Sequence, residues 1–423
     1  MERQAALRDA SHGIDDLIAE PRPAAPVDAR VLRLLTVTTL YPNPNQPTHG
    51  VFVENRLRHL VASGAASSEV IAPVPWFPSA SPAFGAWSRY AGIPAAEQRH
   101  GLAVHHPRYL ALPRIGLFSG PWMLHRAMRA AALRLLRDGR RFDAIDAHYL
   151  YPDGVAALWL GRELGLPVVV TARGSDTSLL PQYGLPRRMI EGVIAGADAL
   201  IAVSAGLRQG LLDLGAPAGK VTVLRNGVDL DTFRPAPDRA ALRAELGLTG
   251  PTLLSVGLLI PRKGHDRIIT ALPALPGCTL LVAGEGPDRA ALLALAERLG
   301  VADRVRLLGP QPHAALARLY AAADALVLAS LREGWANVLL EAMACGTPAL
   351  AGPAWGSAEA ISSPAAGLVL DDVTPAAIAD GVRRLFTAPP DRAETRRHAE
   401  GFGWEPTTAG QLALFRRVLA ARG

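Results

Sequence analysis

The sequence predicts an α/β protein with two doubly wound domains, and three observations support that prediction. Apolar runs of strand length alternate with helical patterns over residues 31–204, and a second alternation occupies residues 251–386. The stretch DLDTFRPAPD at 229–238 separates the two series. A chain of 423 residues is also longer than a single hydrophobic core usually accommodates, which indicates two domains. The expected order is a lead-in at 1–30, a first domain at 31–229, a linker at 230–250, a second domain at 251–400 and a terminal helix at 401–423.

The first domain begins with VLRLLTVTTL from Val31, a near-continuous apolar run typical of a buried parallel strand. The next helix is predicted to begin near Gly50. Further strands are predicted at EVIAPV (69–74), FDAIDAH (142–148), PVVVTA (167–172) and DALIAVS (198–204). Residues 76–121 are rich in Pro and aromatic residues and fit no regular pattern, so we expect an elaborated loop there.

The second domain repeats the alternation with six short apolar runs. These predicted strands read TLLSVG, TLLVAG, RVRLLG, ALVLAS, PALAG and GLVLD. A last helix is predicted from about Pro406 to Leu419, after a domain that already contains a full alternation. The pattern alone does not say which domain that helix packs on.

Composition and charge exclude several classes of protein. Hydrophobic residues make up 49% of the chain, beside 40 Gly and 35 Pro, which indicates a globular protein rich in turns. The net charge is +6, and the basic residues are 42 Arg and two Lys spread along the whole chain. Because there is no dense basic tract, nucleic-acid binding is not expected. A weak attraction to anionic membranes or phosphorylated ligands stays open.

The sequence also bears on location and on metal content. Cys278 and Cys345 lie in apolar segments and are expected to be reduced core thiols without a metal-ligand cluster. No apolar stretch reaches the roughly 18 residues that span a bilayer, and the N-terminus lacks the features of a signal peptide. We therefore expect a cytoplasmic protein.

The most informative segment is EGWANVLLEAMACG, residues 333–346. The run DALVLAS before it has strand length, and VLLEAMACG has apolar residues at helical spacing that end at Gly346. The intervening loop therefore lies at the carboxyl end of a strand. The helix start presents the amides of Ala336, Asn337 and Val338, an arrangement that favours phosphate.

Two carboxylates flank this anion site. Glu333 lies in the loop, and Glu341 lies about one turn inside the helix. Acceptors on both sides of a phosphate suit a ligand with hydroxyl-rich groups at both ends, which describes a nucleotide sugar. The alternative is that Glu333 caps the helix and Glu341 is a solvated first-turn residue. The pairing of both around one anion site favours the functional interpretation.

Seven other stretches agree with this segment in order and spacing. They are THGVFVENRL (48–57), DAHYLYPDG (146–154), TARGSD (171–176), VLRNGVDLDTFRP (223–235), SVGLLIPRKGHD (255–266), VAGEGPDRAAL (282–292) and FGWEP (402–406). Together with EGWANVLLEAMACGTPALA they resemble the retaining glycosyltransferases of family 4, whose signature is two glutamates separated by seven residues. The resemblance implies the GT-B architecture, with two facing Rossmann-like domains and a C-terminal helix that crosses back onto the first domain.

The resemblance implies transfer of a hexose from a nucleotide diphosphate sugar to a hydroxyl acceptor with retention of configuration, in polysaccharide or glycolipid biosynthesis. It implies that Glu341 binds the ribose and Glu333 the transferred sugar. His148 ends the predicted strand FDAIDAH and is expected to point into the cleft, although a lone His is more often structural. The resemblance implies that it contacts the donor sugar or the transition state. The sequence offers no acidic metal-binding pair, so we expect no cofactor and no dependence on a divalent metal.

Loops after the strands of the second domain supply the other donor-site candidates, because open α/β sheets bind ligands at the carboxyl ends of their strands. Arg262 and Lys263 follow such a strand and would neutralise a diphosphate leaving group; a solvated basic pair is the alternative. Gly257 ends the same strand. Gly284 lies in the GEGP turn, which is interpreted as a tight turn near the base because it lacks the third glycine of a dinucleotide fingerprint.

In the first domain, Gly50 at a helix start would let the backbone approach the phosphate or the acceptor closely. His49 beside it is a candidate acceptor contact, although a surface position is the simpler interpretation. Arg173 in TARGSD would bind an anionic acceptor. Asp176 either contacts the acceptor or caps the following segment.

One position departs from the family pattern. Members commonly have VGR, a few residues and KG, whereas this chain has Leu258 where the arginine is expected. A diphosphate that faces one cation instead of two loses stabilisation, so we expect Arg262 to take the missing role.

Residues 108–141 mix arginines with large apolar side chains, a composition suited to an anionic membrane surface. The apolar members are Leu112, Leu117, Phe118, Trp122, Met123 and Leu124. On this interpretation the protein contacts the inner face of the membrane, and the acceptor is lipid-linked or a growing polysaccharide. The alternative is an ordinary amphipathic helix packed on its own sheet.

Rival functions belong to other classes. An NAD-dependent oxidoreductase should show G-x-G-x-x-G in its first strand–helix turn, and TTLYPNPNQPTHG does not. A non-catalytic sugar-nucleotide sensor or a GT-B epimerase would keep the pocket. Measurements of donor hydrolysis and transfer distinguish these possibilities.

Overall fold

The structure, a computed structural model, describes residues 30–111 and 116–422. Most of the predicted lead-in at 1–30, and Leu112 of the predicted membrane surface, lie outside these residues. From Leu32 onward the chain forms one compact unit that contains both predicted sheets. The domain boundaries given above stay predictions.

The first half of the chain forms a mostly parallel sheet and a short separate ribbon of β3 and β6. The strands are β1 (Leu32–Val37), β2 (Ala66–Ile71), β3 (Val74–Pro75), β4 (Ala96–Arg99), β5 (Leu102–His105), β6 (Arg108–Tyr109), β7 (Ala144–His148), β8 (Val168–Ala172), β9 (Ala199–Ala202) and β10 (Val221–Val223). The sheet order is β10-β9-β8-β7-β1-β2-β5-β4, and all neighbours are parallel except β4 and β5.

Helices cover both faces of this sheet. They are α1 (Val51–Ala62), α2 (Gly116–Arg137), α3 (Val155–Leu164), α4 (Ser175–Ser178), α5 (Gly184–Gly196) and α6 (Ala205–Asp213). Val168 and Val170 of β8 pack in one hydrophobic cluster, and Val169 between them packs in another. Burial on both faces explains why β8 reads as a continuous apolar run and not as an alternating pattern.

The second half forms a six-stranded sheet in which all neighbours are parallel. Its strands are β11 (Thr252–Val256), β12 (Thr279–Ala283), β13 (Val305–Gly309), β14 (Ala325–Leu328), β15 (Ala349–Ala351) and β16 (Gly367–Val369), in the order β13-β12-β11-β14-β15-β16. Its helices, with those that follow it, are α7 (Arg239–Glu245), α8 (His265–Ala271), α9 (Arg289–Arg298), α10 (His313–Ala322), α11 (Asn337–Ala344), α12 (Ser357–Ala360), α13 (Pro375–Thr387), α14 (Arg392–Glu400) and α15 (Glu405–Ala420). All six strands predicted for this half are confirmed.

The loop expected at 76–121 differs from the structure, since it contains the antiparallel hairpin of β4 and β5. The turn between these strands is His100-Gly101, and both residues have positive φ, 49° and 80°. Two such residues suit the tight turn of a hairpin. The strand β4 reads AEQR and has no buried residue, so its sequence carries no apolar signal.

The terminal helix α15 returns to the first half, as expected. Phe415 on α15 packs in the same cluster as Leu57 and Leu60 of α1. Trp404, just before α15, stacks on His59 with ring centroids 5.0 Å apart. Within the described ranges, no helix combines the length and hydrophobicity needed to cross a membrane.

Candidate active site

A cleft of about 1130 Å³ lies between the two halves. Residues after β1, β7 and β8 line it from the first half, and residues after β11, β12 and β14 line it from the second. The strand order reverses at these places, between β1 and β7 and between β11 and β14. Such switch points are where open α/β sheets bind ligands. The cleft is therefore the candidate active site.

Glu341 on α11 lines the cleft and is partly exposed to it. The Tyr320 hydroxyl donates a hydrogen bond to Oε2 of Glu341 over 2.8 Å. Burial raises the pKa of Glu341, while His313 and the Tyr320 hydrogen bond act in the opposite direction. Because Tyr320 engages Oε2, the other oxygen can accept from a ligand hydroxyl. This geometry fits the ribose contact that the resemblance implies.

Glu333 is ion-paired, a feature that the sequence did not predict. Lys263 Nζ lies 2.5 Å from Oε1 of Glu333, and Arg262 Nη1 lies 3.9 Å from the same oxygen. The side chains of Lys263 and Glu333 are 17% and 11% exposed. The candidate sugar contact and the candidate phosphate contact therefore form one unit in the cleft wall.

The start of α11 supplies backbone donors to the same wall. Ala336, Asn337 and Val338 all line the cleft. The amides of Asn337 and Val338 donate to no acceptor in the part of the chain that the structure describes. The side chain of Asn337 accepts a hydrogen bond from Asn226 Nδ2 over 3.3 Å. These free amides fit the predicted anion site.

Three glycines allow close backbone approach at the cleft. Gly50, with φ of 71°, precedes α1, and a Cβ there would overlap the backbone of Leu40. Gly257 and Gly284 have φ of 155° and 152°, and a Cβ on Gly284 would overlap the carbonyl oxygen of Gly257. All three glycines line the cleft. Their binding roles stay predictions, and the close contacts give a packing reason for glycine at two of the positions.

Arg173 lines the cleft from the first half, and its guanidinium is held from several sides. Nη2 donates to His148 Nδ1 over 2.7 Å, and Nη1 donates to Asn226 Oδ1 over 3.3 Å. The guanidinium also lies 5.1 Å from the ring centroid of Phe52. Burial and the nearby charge of Arg56 lower the pKa of Arg173 to about 9, which leaves it cationic at neutral pH. Arg173 is thus a fixed cation at the cleft.

His148 does not point into the cleft, contrary to the expectation. Its side chain is 1% exposed and lies behind Arg173. Since Arg173 only donates, Nδ1 of His148 is the acceptor, and the ring proton is on Nε2, 3.4 Å from Asp146 Oδ2. Burial lowers the pKa of His148 to about 4, so the ring is neutral at physiological pH. In this structure His148 supports Arg173, and a direct contact with the sugar is not supported.

Asp176 requires a second correction. Its side chain is fully buried and accepts hydrogen bonds from the amides of Leu150, Arg173 and Gly174. It therefore organises the loop after β8 and does not reach an acceptor; it also does not cap the following segment, because its donors precede it in the chain. His49 does line the cleft, with Nε2 3.0 Å from the carbonyl oxygen of Thr39, and its acceptor role stays a prediction.

The loops that carry Arg173 and Glu333 touch each other. A Cβ built on Gly334 would overlap the carbonyl oxygen of Arg173, and one built on Gly174 would lie 3.1 Å from the Gly334 amide nitrogen. Only glycine allows two backbones to approach this closely. The loop that carries Arg173 therefore lies directly beside the loop that follows β14.

Several residues at the cleft, or buried behind it, were not predicted from the sequence. Tyr320 precedes its partner Glu341 by 21 positions on a different helix, and no spacing signals that contact. Arg332 lines the cleft and was detectable as a basic residue in the loop that already carries Glu333. Arg89 lines the cleft from the irregular segment that the sequence left unassigned.

The described residues hold no candidate metal site, and cationic side chains line the donor side of the cleft. Across residues 30–111 and 116–422, no three His, Cys, Asp or Glu side chains gather in a way that would hold a metal ion. Arg262, Lys263 and Arg332 all line the donor side of the cleft. The expected independence from divalent metal stays a prediction.

Two doubly wound domains that face each other across a cleft define the GT-B class of glycosyltransferases. Comparisons with known proteins agree with that class. The Glycosyltransferase Family 4 model matches residues 50–232, and the Glycosyl transferases group 1 model matches residues 238–402. A D-inositol 3-phosphate glycosyltransferase from Frankia alni is 37% identical over 309 residues, which are 66% of this chain and 75% of the relative.

Solved structures share the fold at lower identity. Sucrose-phosphate synthase from Thermosynechococcus elongatus superposes with a TM-score of 0.75 at 21% identity, over 92% of this chain and 100% of that one. The HepE protein of Anabaena, solved in complex with UDP and glucose, superposes with a TM-score of 0.69 at 19% identity, over 90% of this chain and 98% of that one. The chain belongs to the group 1 glycosyltransferases of the family 4 type. The oxidoreductase alternative is thereby excluded.

Proposed function

We propose that the protein transfers a hexose from a nucleotide diphosphate sugar to a hydroxyl acceptor with retention of configuration. One observation carries this proposal: a single cleft wall combines free helix amides with two carboxylates that neighbours hold in place. Tyr320 holds Glu341, and Lys263 holds Glu333. The carboxylates suit the ribose and sugar hydroxyls, and the amides with Lys263 suit the diphosphate.

In the proposed step, the bond between the anomeric carbon and the diphosphate oxygen breaks. A bond to the acceptor oxygen forms on the same face of the sugar, and the acceptor proton passes to the departing phosphate. Lys263, Arg262 and the amides at the start of α11 stabilise the negative charge that develops on the leaving group. Glu333 accepts a hydrogen bond from a sugar hydroxyl and orients the sugar ring for attack.

We further propose that the acceptor carries an anionic group. Arg173 supports this, because it is cationic, held in place by its neighbours and close to the loop of Glu333. The Frankia alni relative is named for D-inositol 3-phosphate, a phosphorylated polyol, and this compound is therefore the first acceptor to test. Two further residues of the first half, His49 and Arg89, line the cleft together with Arg173.

Contact with a membrane is a separate part of the proposal. Phe118 and Trp122 on α2 are 43% and 45% exposed, which supports a lipid-facing surface. Leu124 on the same helix is buried in the core and is therefore not part of that surface. The helix packs on its own sheet through one face and leaves the other for a membrane and a lipid-linked acceptor.

The test proceeds from donor to product. A thermal-shift screen with UDP, GDP and ADP hexoses identifies the donor, because a ligand of the native state raises the melting temperature. Transfer is then assayed with D-inositol 3-phosphate and with unphosphorylated inositol, and NMR reads the anomeric configuration of the product. We expect retention and a preference for the phosphorylated acceptor. Inversion would contradict the proposal, and binding without hydrolysis or transfer would favour the sensor.

A further inference from the structure

Trp355, between β15 and α12, packs against a helix of the other half beside the cleft. The indole lies along α6, where a Cβ built on Gly206 or Gly210 would be 3.1 or 3.0 Å from the ring. These two glycines are four residues apart and therefore share one face of the helix. The ring occupies the space that side chains at both positions would need.

Glu359 on α12 also connects the second half to α6 of the first half, by hydrogen bonds. Its Oε1 accepts from the amides of Ala205 and Gly206, the first residues of α6, over 2.7 and 3.3 Å. Its Oε2 accepts from Nε and Nη2 of Arg225 over 2.8 and 2.6 Å. A carboxylate at a helix start is favoured by the helix dipole, and a forked arginine contact fixes its orientation. The Glu359 side chain is 15% exposed, so water screens this contact only partly.

The contact between α6 and the Trp355–Glu359 segment also packs directly against the loop of Glu333. Gly356 has φ of 77°, and a Cβ there would lie 3.0 Å from both the Gly334 carbonyl oxygen and the Trp335 ring. The guanidinium of Arg225 lies 6.0 Å from the ring centroid of Trp335. The residues that bridge the two halves are thus packed against the backbone next to Glu333.

We propose that Trp355 and Glu359 are positioning residues for the transfer reaction. They hold α6 of the first half against the second half, and they fix the loop of Glu333 at its place beside Arg173. Neither residue is proposed to touch the reacting atoms. The inference rests on the function proposed above. Because Glu341, Lys263 and the amides of α11, to which the nucleotide contacts are assigned, all belong to the second half, loss of the Trp355 and Glu359 contacts should lower turnover and leave nucleotide affinity unchanged.

The experiment uses the full chain with Gly210→Ala and, separately, Glu359→Ala. Gly210→Ala places a methyl group against the Trp355 indole, while alanine favours the helix more than glycine does, so α6 itself is not weakened. We expect kcat to fall about 10- to 100-fold in both variants, the cost of a misplacement of about 1 Å. The Kd of whichever of UDP, GDP and ADP binds tightest should be unchanged. Small-angle X-ray scattering should show a larger radius of gyration.

Two variants on α5 serve as matched controls. Gly192→Ala adds a methyl group where no atom lies within 4 Å, and Glu191→Ala removes a carboxylate that pairs with Arg187 of the same helix. Both should keep the wild-type kcat and radius of gyration. Wild-type values in Gly210→Ala and Glu359→Ala, or an equal loss of nucleotide affinity, would overturn the inference. If the wild type transfers no sugar, the proposed function fails. The scattering and nucleotide measurements still decide whether Trp355 and Glu359 hold the two halves together.

Discussion

Lys263 Nζ and Glu333 Oε1 lie 2.5 Å apart, on loops that follow two neighbouring strands of the second sheet. The ammonium limits the positions that the carboxylate can take, and the carboxylate does the same for the ammonium. A site that fixes both groups in this way loses less entropy when a sugar and a diphosphate bind together. The pair therefore links the sugar contact to the phosphate contact.

Lys263→Ala should remove a phosphate cation and also release Glu333. We expect kcat/KM to fall about 10²- to 10³-fold, the usual loss when one donor to a developing anion is removed. Lys263→Arg keeps the charge and should recover part of the activity. Steady-state kinetics with the identified donor measure both effects. Activity of Lys263→Ala close to that of the wild type would show that the pair is only structural.

Tyr320→Phe should change the pH dependence of nucleotide binding. Glu341 accepts hydrogen bonds from hydroxyl groups more strongly as a carboxylate than as a neutral acid, so binding is strongest above its raised pKa and weakens as pH falls through that value. The Tyr320 hydrogen bond lowers the pKa of Glu341, and its removal should move the acid limb to higher pH. Calorimetric titration over a pH series measures the shift.

Glu341→Gln is the control for that series, because it keeps the shape of the side chain and removes its titration. Any pH dependence left in Glu341→Gln belongs to the nucleotide or to other groups. An acid limb that is identical in the wild type, Tyr320→Phe and Glu341→Gln would show that Glu341 does not govern nucleotide binding.

Arg262→Ala should reduce turnover by a factor comparable to that of Lys263→Ala. Leu258 is 51% exposed and lines the cleft where the family pattern has an arginine, and Arg262 lines the same cleft. Restoring a cation with Leu258→Arg in the Arg262→Ala background should recover part of the loss. Arg298→Ala, an exposed arginine on α9 outside the cleft, is the control. Full activity in Arg262→Ala would mean that Arg262 is a solvated neighbour of the site.

The double variant Phe118→Ser/Trp122→Ser should weaken binding to anionic liposomes. These side chains supply apolar area, and the net positive charge of the chain adds an attraction that salt screens. Flotation with phosphatidylglycerol vesicles at low and high salt measures both contributions. Leu293→Ser, which changes an exposed leucine on α9, is the control. A wild type that does not float with anionic vesicles rules the surface out.

The fold could be predicted well wherever burial dictates the sequence. Strands such as β8 and β14 are buried along their whole length, and their apolar runs were sufficient to find them. The hairpin of β4 and β5 was missed, because β4 is polar and only the turn His100-Gly101 marks it. A short, exposed edge strand leaves little trace in hydrophobicity.

The site could be predicted only where one local segment contains the chemistry. The helix start at Asn337 and the two glutamates around it follow from residues 333–346 alone. The partners of those glutamates come from elsewhere, since Lys263 is 70 positions away from Glu333. His148 shows a second limit. Its position at the end of β7 was predicted correctly, but the direction of its side chain was not, because that direction depends on the contact with Arg173.

Nucleotide binding to Glu341→Ala and Glu333→Ala tests most directly whether Glu341 holds the nucleotide and Glu333 the sugar. We expect calorimetry to show nucleoside diphosphate affinity about 10- to 150-fold lower in Glu341→Ala, the loss expected for hydrogen bonds to a charged group worth about 1.5 to 3 kcal/mol. Glu333→Ala should keep the nucleotide affinity and lose turnover, because its partner is the sugar. Equal nucleotide affinity in the wild type and Glu341→Ala would contradict the assignment of Glu341 to the nucleotide.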